Sequence, residues 1–186
     1  MKIWVASLTD YNAGILHGKW FEISATSDVG DLHKKIAALL ATSPTAREED
    51  NPAEEWAIHD YSECPVDFGE HESLNSLVGF ARAYESFVED SAREGFAIYV
   101  EKIAELDACR NNWAAALENF HNAYRGEWAT LASYAEDYFG EMHSNSPLPE
   151  MIADHINWAS VYNDLTNGAV YDYRSSNGFH VFHCPE

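Results

Sequence analysis

The order of hydrophobic periodicities constrains the fold of this chain more than any other feature. Alternation over Met1 to Ser7 predicts a strand, turn residues follow at Thr9 to Gly14, and Ile15 to Ile23 predicts a return strand. A further strand is predicted at Glu55 to Tyr61, which places Trp56 and Ile58 on the same face. The chain therefore opens with a hairpin and a third strand of the same unit.

Apolar residues at helical spacing predict a run of helices after the hairpin. Ser27 or Asp28 can cap a helix that continues through Leu32, Ile36 and Leu40, and a polar linker is expected at 42–53. Five further helical segments are predicted, the last of them after a break at 144–149: Leu74 to Val88, Phe96 to Leu106, Trp113 to Tyr124, Leu131 to Met142, and Glu150 to Leu165.

The chain closes on a second hairpin, predicted over Ala169 to Cys184 with Asn177-Gly178 at its turn. Strands are thus followed by helices and then by strands again. This order predicts an α+β fold, with small antiparallel sheets at both ends and a helical middle.

The balance of charge is unusual, with 31 acidic against 11 basic residues and a formal net charge of -20. Solubility requires a net charge of only roughly 2 to 8 in a small domain, and a larger excess makes the compact state repel itself. Disorder is excluded because 46% of the residues are hydrophobic and 13% are aromatic, enough to build a core. The excess acid therefore indicates a function for the charge.

The acidic residues form long tracts of one sign. No Lys or Arg lies between Arg47 and Arg82, or between Arg125 and Arg174. Like charges four residues apart on a helix repel each other, and this chain has five such pairs: Glu85/Glu89, Asp90/Glu94, Glu101/Glu105, Asp137/Glu141 and Glu150/Asp154. Twenty charges at the density of duplex DNA would cover roughly 34 Å of its axis.

Motifs for catalysis and for metal binding are missing from the sequence. It has no glycine-rich phosphate loop, no nucleophile elbow, no H-E-x-x-H helix and no calcium-binding loop. His180 and His183 fall on one predicted strand, where their odd spacing points them to opposite faces. We therefore expect a protein that is not an enzyme, with no catalytic residues, cofactor or metal site.

The partner class follows from charge and hydropathy. Acidic proteins are repelled by nucleic acid and by anionic membranes, and no segment approaches the ~20 apolar residues of a membrane span. Three widely spaced cysteines indicate reduced thiols, and the apolar run Ile3 to Leu8 is too short for a signal peptide. A cytoplasmic protein with a cationic protein partner is expected, although a merely solvated acidic surface would have the same composition.

Several stretches resemble the ArdA-type antirestriction proteins in sequence and in order. The opening IWVASLTDYNAGILHGKWFEI and the later FHNAYRGEW are the more specific ones. The others are EEWAIHDYSE (Glu54 to Glu63), YAEDYFGE (Tyr134 to Glu141), INWASVYNDL (Ile156 to Leu165) and GFHVF (Gly178 to Phe182).

This resemblance implies an elongated three-part protein, divided here into an N-terminal α+β unit (1–62), a helical middle (63–125) and a C-terminal α+β unit (126–186). It further implies a homodimer through the C-terminal unit, encoded on a mobile genetic element. The implied function is mimicry of duplex DNA, which would occupy and inhibit type I restriction-modification enzymes. An acidic module that binds another basic protein is the alternative.

The carboxylates expected to stand in for phosphates lie in three groups along the chain. They are Glu48, Glu49, Asp50, Glu54, Glu55, Asp60, Glu63, Asp67, Glu70 and Glu72, then Glu85, Glu89, Asp90 and Glu94, and finally Glu136, Asp137, Glu141, Asp154 and Asp164. Their effect is expected to be collective, so that single substitutions cost little.

Overall fold

The computed structural model describes residues 1–49, 52–166 and 170–184. Its strands are β1 (Lys2–Ser7), β2 (Gly18–Glu22), β3 (Trp56–Ser62), β4 (Tyr124–Trp128), β5 (Val170–Arg174) and β6 (Phe179–His183). Its helices are α1 (Leu8–Asn12), α2 (Val29–Leu40), α3 (Pro44–Glu49), α4 (Leu74–Glu85), α5 (Asp90–Lys102), α6 (Leu106–Cys109), α7 (Trp113–Ala123), α8 (Leu131–Met142), α9 (Glu150–Ala153) and α10 (Trp158–Leu165).

These elements confirm the α+β class. Within the described ranges, the strands form two antiparallel three-stranded sheets with helices between them, in the orders β2-β1-β3 and β4-β6-β5. The chain divides into two compact units, Met1–Val88 with Tyr99–Leu117 and Glu89–Ile98 with Glu118–Glu186. The three-part division at 62 and 125 stays a prediction.

The first sheet is built as the alternation predicts. Ile3 lies opposite Phe21 in the β1–β2 register, and both side chains are buried, as are Leu32 and Ile36 of α2. Asp28 caps α2 by accepting a hydrogen bond from the Asp31 amide. These apolar faces form the core between the sheet and α2.

Strand β3 departs from strict alternation because of a bulge. The register with β1 shifts between Trp4, which pairs with Asp60, and Val5, which pairs with Ile58. An extra residue in one strand turns the following side chains to the other face. Neighbouring Ala57 and Ile58 lie before the bulge, in regular register with Ala6 and Val5, and both are buried because both faces of the sheet are covered at this end.

Two segments predicted as turn and linker contain short helices. The predicted turn at 9–14 overlaps α1, which begins directly after Ser7. The Ser7 hydroxyl caps this helix by accepting from the Asp10 amide at 3.4 Å. Within 42–53, α3 begins at Pro44, after Ser43 has capped it by accepting from the Ala46 amide at 3.1 Å. The linker prediction was wrong for α3 because a hydroxyl cap followed by proline starts a helix.

Four other helical predictions were wrong in their bounds. The segment from Phe96 to Leu106 is not one helix, because α5 ends at Lys102 and Leu106 begins α6. Val88 lies beyond α4 and is 92% exposed, so it does not extend the apolar stripe. The segment 150–165 is divided into α9 and α10, with Asn157 capping α10 by accepting from the Ser160 amide. Tyr124 does not end a helix. It begins β4, a strand that was not predicted because Tyr124 fits the helical spacing of the preceding apolar residues.

The second sheet is packed on both faces. The ring of Tyr124 contacts His180 and Phe182 on one face, while Val181 packs with the buried Tyr134 and Tyr162 of α8 and α10 on the other. The hairpin predicted at Asn177-Gly178 is confirmed for the residues from Val170 onward; Ala169 lies outside the described residues.

Candidate acidic interaction surface

Most of the carboxylates expected on the surface are exposed. Asp50 and the side chain of Glu49 lie outside the described residues, and sixteen of the remaining seventeen are exposed. In the first unit these are Glu48, Glu54, Glu55, Asp60, Glu63, Asp67, Glu70 and Glu85, and in the second they are Glu89, Asp90, Glu94, Glu136, Asp137, Glu141, Asp154 and Asp164.

Glu72 is the exception, because it is buried. Its carboxylate lies 2.6 Å from Nε of Arg110, and its Oε1 accepts from the Ser73 amide at 3.1 Å. Arg110 also donates to the Phe68 carbonyl at 3.0 Å and pairs with Asp107. Glu72 was therefore wrongly expected at the surface; its charge is held inside the unit, where a partner cannot reach it.

The densest group of acids lines an open cleft of about 500 Å³ beside β3. Asp60, Asp67, Glu70 and Glu101 contribute to its walls, together with apolar side chains such as Val66. Carboxylates that line one cleft concentrate negative potential, because the protein wall does not screen them as water does. The cleft can attract cationic groups, to which its four carboxylates offer hydrogen-bond acceptors.

Hydrogen bonds to backbone carbonyls fix the segment that carries these acids. Tyr61 donates its hydroxyl to the Gly69 carbonyl at 2.7 Å, and the Ile58 amide donates to the Glu70 carbonyl at 3.0 Å. Burial, followed by the negative charge of Glu72, raises the pKa of Tyr61 well above its usual range. The tyrosine therefore remains a neutral donor at all physiological pH values.

Glu101 belongs to the same cleft but was missing from the predicted carboxylates. Its Oε1 accepts from the Asp67 amide at 3.2 Å and so orders the cleft wall, while Lys102 lies 3.7 Å from its other oxygen. The signal that could have found it was present in the sequence, as the repulsive pair Glu101/Glu105. Glu101 lies far along the chain from the 48–72 tract, so the sequence did not indicate that it shares a cleft with those acids.

In the second unit, packing of α8 determines where its acids point. Tyr134 and Ala135 are buried in the core, and Tyr138 packs against it. Glu136, Asp137 and Glu141 are consequently left on the outer side of the helix. The apolar stripe that predicted α8 thus also predicts its acidic face.

Several of the exposed carboxylates have partners within the chain, and Glu85 and Asp90 are two examples. Glu85 accepts a hydrogen bond from the Ala25 amide at 3.0 Å, next to Arg82, which donates to the Ala25 carbonyl. Asp90 pairs with Arg93 at 3.1 Å. These two side chains stabilise local structure as well as adding charge to the surface.

Comparison with known proteins identifies the family of this chain. A family model for the antirestriction protein ArdA matches residues 3–176, which is most of the chain. The chain belongs to the ArdA family. A search of curated proteins found no match.

Membership in the ArdA family supports an antirestriction function and confirms the resemblance seen in the sequence. The match includes the first sheet, strands β4 and β5 of the second sheet and all ten helices of the described ranges, and it ends before β6. In those same ranges, no helix has both the length and the apolar character needed to cross a membrane.

Proposed function

We propose that this ArdA-family chain acts as a mimic of duplex DNA and inhibits type I restriction-modification enzymes by occupying their DNA-binding surface. The observation that supports the proposal is the exposure of sixteen of the predicted carboxylates in a chain of net charge -20. Fixed carboxylates can replace phosphates opposite Lys and Arg side chains, because most of the affinity for DNA comes from its backbone charge.

No bond is made or broken in this mechanism. The cationic groups of a DNA-binding cleft exchange DNA for another polyanion, and the displaced DNA recovers its condensed counterions. Inhibition therefore depends on stoichiometric binding rather than turnover. We propose accordingly that the chain is not an enzyme and needs no cofactor.

We also propose a cytoplasmic homodimer that assembles through the C-terminal part and is encoded on a mobile element. Exposed apolar side chains of that part support an interface: Met142, Met151, Ile152 and Tyr171 are between 47% and 76% exposed. Sedimentation equilibrium tests the dimer, and a monomer at micromolar concentration would contradict it.

The test of mimicry is displacement of labelled DNA from a type I restriction enzyme by the purified chain, at several salt concentrations. We expect displacement near stoichiometry, and direct binding of the chain to the enzyme should weaken steeply as salt rises, as the binding of a polyanion does. No displacement at low salt would contradict the proposal and favour an acidic module that binds another basic partner.

Two variants that lose the same number of charges separate the effect of charge position from the effect of net charge. The first carries Asp60→Asn, Asp67→Asn and Glu70→Gln in the cleft. The second loses the same three charges at exposed positions outside the predicted carboxylates, by Glu22→Gln, Glu105→Gln and Glu118→Gln.

We expect the cleft variant to displace DNA more weakly than the matched variant, and any single substitution to have little effect. Equal losses in the two triple variants would show that only net charge matters. Complete loss from one substitution would contradict a collective charge effect.

A further inference from the structure

Three metal-ligating side chains meet within the second unit. Glu127 on β4 lies directly opposite His180 on β6 in the strand register, and Glu94 reaches them from α5. One ligand atom from each of the three residues lies within 4.8 Å of the others. Because the residues are separated by up to 86 positions, no linear motif could reveal the group.

His180 distinguishes this group from an ordinary acidic cluster. Its side chain is fully buried, and its Nε2 makes no hydrogen bond with any residue in the described ranges. That nitrogen lies 3.6 Å from Oε2 of Glu94. A buried polar atom without a hydrogen bond is costly, so its position facing carboxylates requires an explanation.

The hydrogen bonds of the other ring nitrogen determine what Nε2 can do. Nδ1 of His180 lies 2.9 Å from the Tyr124 hydroxyl, and that hydroxyl donates its single hydrogen to the Ser91 carbonyl at 3.4 Å. In the tautomer that keeps this bond to Ser91, Nδ1 donates to Tyr124 and Nε2 carries a lone pair. The remaining lone pair on Nε2 therefore faces Glu94 and Glu127, so that three acceptors converge with no donor between them.

We propose that Glu94, Glu127 and His180 bind a divalent transition-metal ion of the Zn²⁺ type. Imidazole nitrogen and carboxylate oxygen are both zinc ligands, and two ligands of a tetrahedral ion at about 2.1 Å lie about 3.4 Å apart. The 3.6 Å separation of Nε2 and Oε2 is close to that value and is too long for a hydrogen bond. Two carboxylates and a neutral imidazole would neutralise the ion fully.

Outer hydrogen bonds hold two of the ligands in place, as is usual around protein metal ions. Tyr124 orients the His180 ring, and the Ser175 hydroxyl donates to Oε1 of Glu127. Ser175 is itself fixed in the β5–β6 turn, where its Oγ accepts from the amides of Asn177 and Gly178 at 3.2 and 2.9 Å. The turn predicted from Asn177-Gly178 thus supports the metal site.

Close approach of α5 completes the site. A Cβ added at Gly95 would lie 2.9 Å from the ring of Tyr124, so only glycine lets the helix come this near. Glu94, the preceding residue, is thereby brought within reach of His180. Glu94 would then bind the ion and contribute no net charge to the acidic surface. A metal site of this kind goes beyond the proposed DNA mimicry.

The test is calorimetric titration of Zn²⁺ into the metal-free full-length chain, in moderate salt with excess Mg²⁺ to suppress diffuse binding. We expect one saturable site per chain. Glu94→Gln and Glu127→Gln should each weaken it by at least about tenfold, whereas Glu136→Gln, which removes the same charge elsewhere, should not. His183→Gln should also retain binding, because His183 points to the opposite face of β6.

A second readout follows the His180 ring by nitrogen NMR. Zn²⁺ should shift the Nε2 resonance of the Nδ1-protonated form. The proposal is overturned if no one-to-one site is found, if Glu136→Gln loses as much affinity as Glu94→Gln, or if Nε2 keeps a proton in saturating Zn²⁺. Displacement of DNA in the presence of a chelator tests mimicry separately, so failure of either proposal is recognisable.

Discussion

Replacement of Asp10 by asparagine tests how strongly one buried carboxylate stabilises the first unit. Asp10 lies in α1 with no exposed surface, and its Oδ1 accepts from Ser43 Oγ at 2.8 Å and from the Thr45 amide at 3.0 Å. It thereby joins α1 to the start of α3. Asparagine has nearly the same shape but no charge, so the substitution removes the ionic part of these contacts.

The size of the effect follows from the pKa of Asp10. Burial disfavours the ionised carboxylate, but hydrogen bonds with Ser7, Ser43 and Thr45 outweigh it and lower the pKa from 3.8 to about 2. A carboxylate with a lowered folded-state pKa stabilises the fold above its unfolded-state pKa, and this stability is lost as pH falls toward the folded value. The difference corresponds to about 2 kcal/mol at neutral pH.

Urea unfolding of the wild type and Asp10→Asn, followed by circular dichroism from pH 7 to pH 3, measures this contribution. The difference between the two should be about 2 kcal/mol at pH 7 and should shrink by about 1 kcal/mol between pH 5 and pH 3, as Asp10 in the unfolded chain takes up its proton. A difference that stays constant with pH would refute the assignment of a lowered pKa. Comparing the two proteins cancels the titration of the other carboxylates.

Four further substitutions and a salt titration test the packing and the charge. Arg110→Ala should lower the free energy of unfolding by about 3 kcal/mol, because it leaves the buried Glu72 carboxylate unpaired. Lys34→Ala, at an exposed pair, should leave the urea midpoint nearly unchanged. Gly178→Ala should lower the free energy of unfolding by about 1 to 3 kcal/mol in the same assay, since the new Cβ would collide with the Trp128 carbonyl. In contrast, the Cβ added by Gly140→Ala in α8 meets no atom, so this substitution should raise the free energy of unfolding by about 0.5 to 1 kcal/mol. Finally, the melting temperature should rise as salt shortens the Debye length from about 30 to about 3 Å, and a salt-independent value would argue against crowded surface carboxylates.

Local patterns in the sequence were sufficient for the elements that depend on local chemistry. Strand β1, the Asp28 cap of α2 and the hairpin signalled by Asn177-Gly178 all depend on a few neighbouring residues, and each is found. The loop of that hairpin has four residues, 175–178, because the last strand pair is Arg174 with Phe179. The cap and proline at Ser43-Pro44 carried the same kind of signal for α3. That helix could have been predicted from the sequence.

The features that were not predicted depend on contacts between distant parts of the chain. Tyr124 fits the helical spacing of the preceding residues, and only pairing with Phe182, far along the chain, makes it the start of a strand. Glu72 looks like any other acid of its tract until Arg110 folds against it. The convergence of Glu94, Glu127 and His180 likewise depends on contacts that no short window contains.

The position of β3 at the edge of its sheet gives the cleft acids a second consequence. An edge strand presents unpaired backbone groups to which a strand of another molecule can add, and charged side chains are a common protection against such aggregation. Asp60 is exposed on this strand, and the Ile58 amide is already occupied by Glu70. Variants neutralised in the cleft should therefore self-associate more readily, which light scattering would detect, and the acids that attract a partner also keep copies of this chain apart.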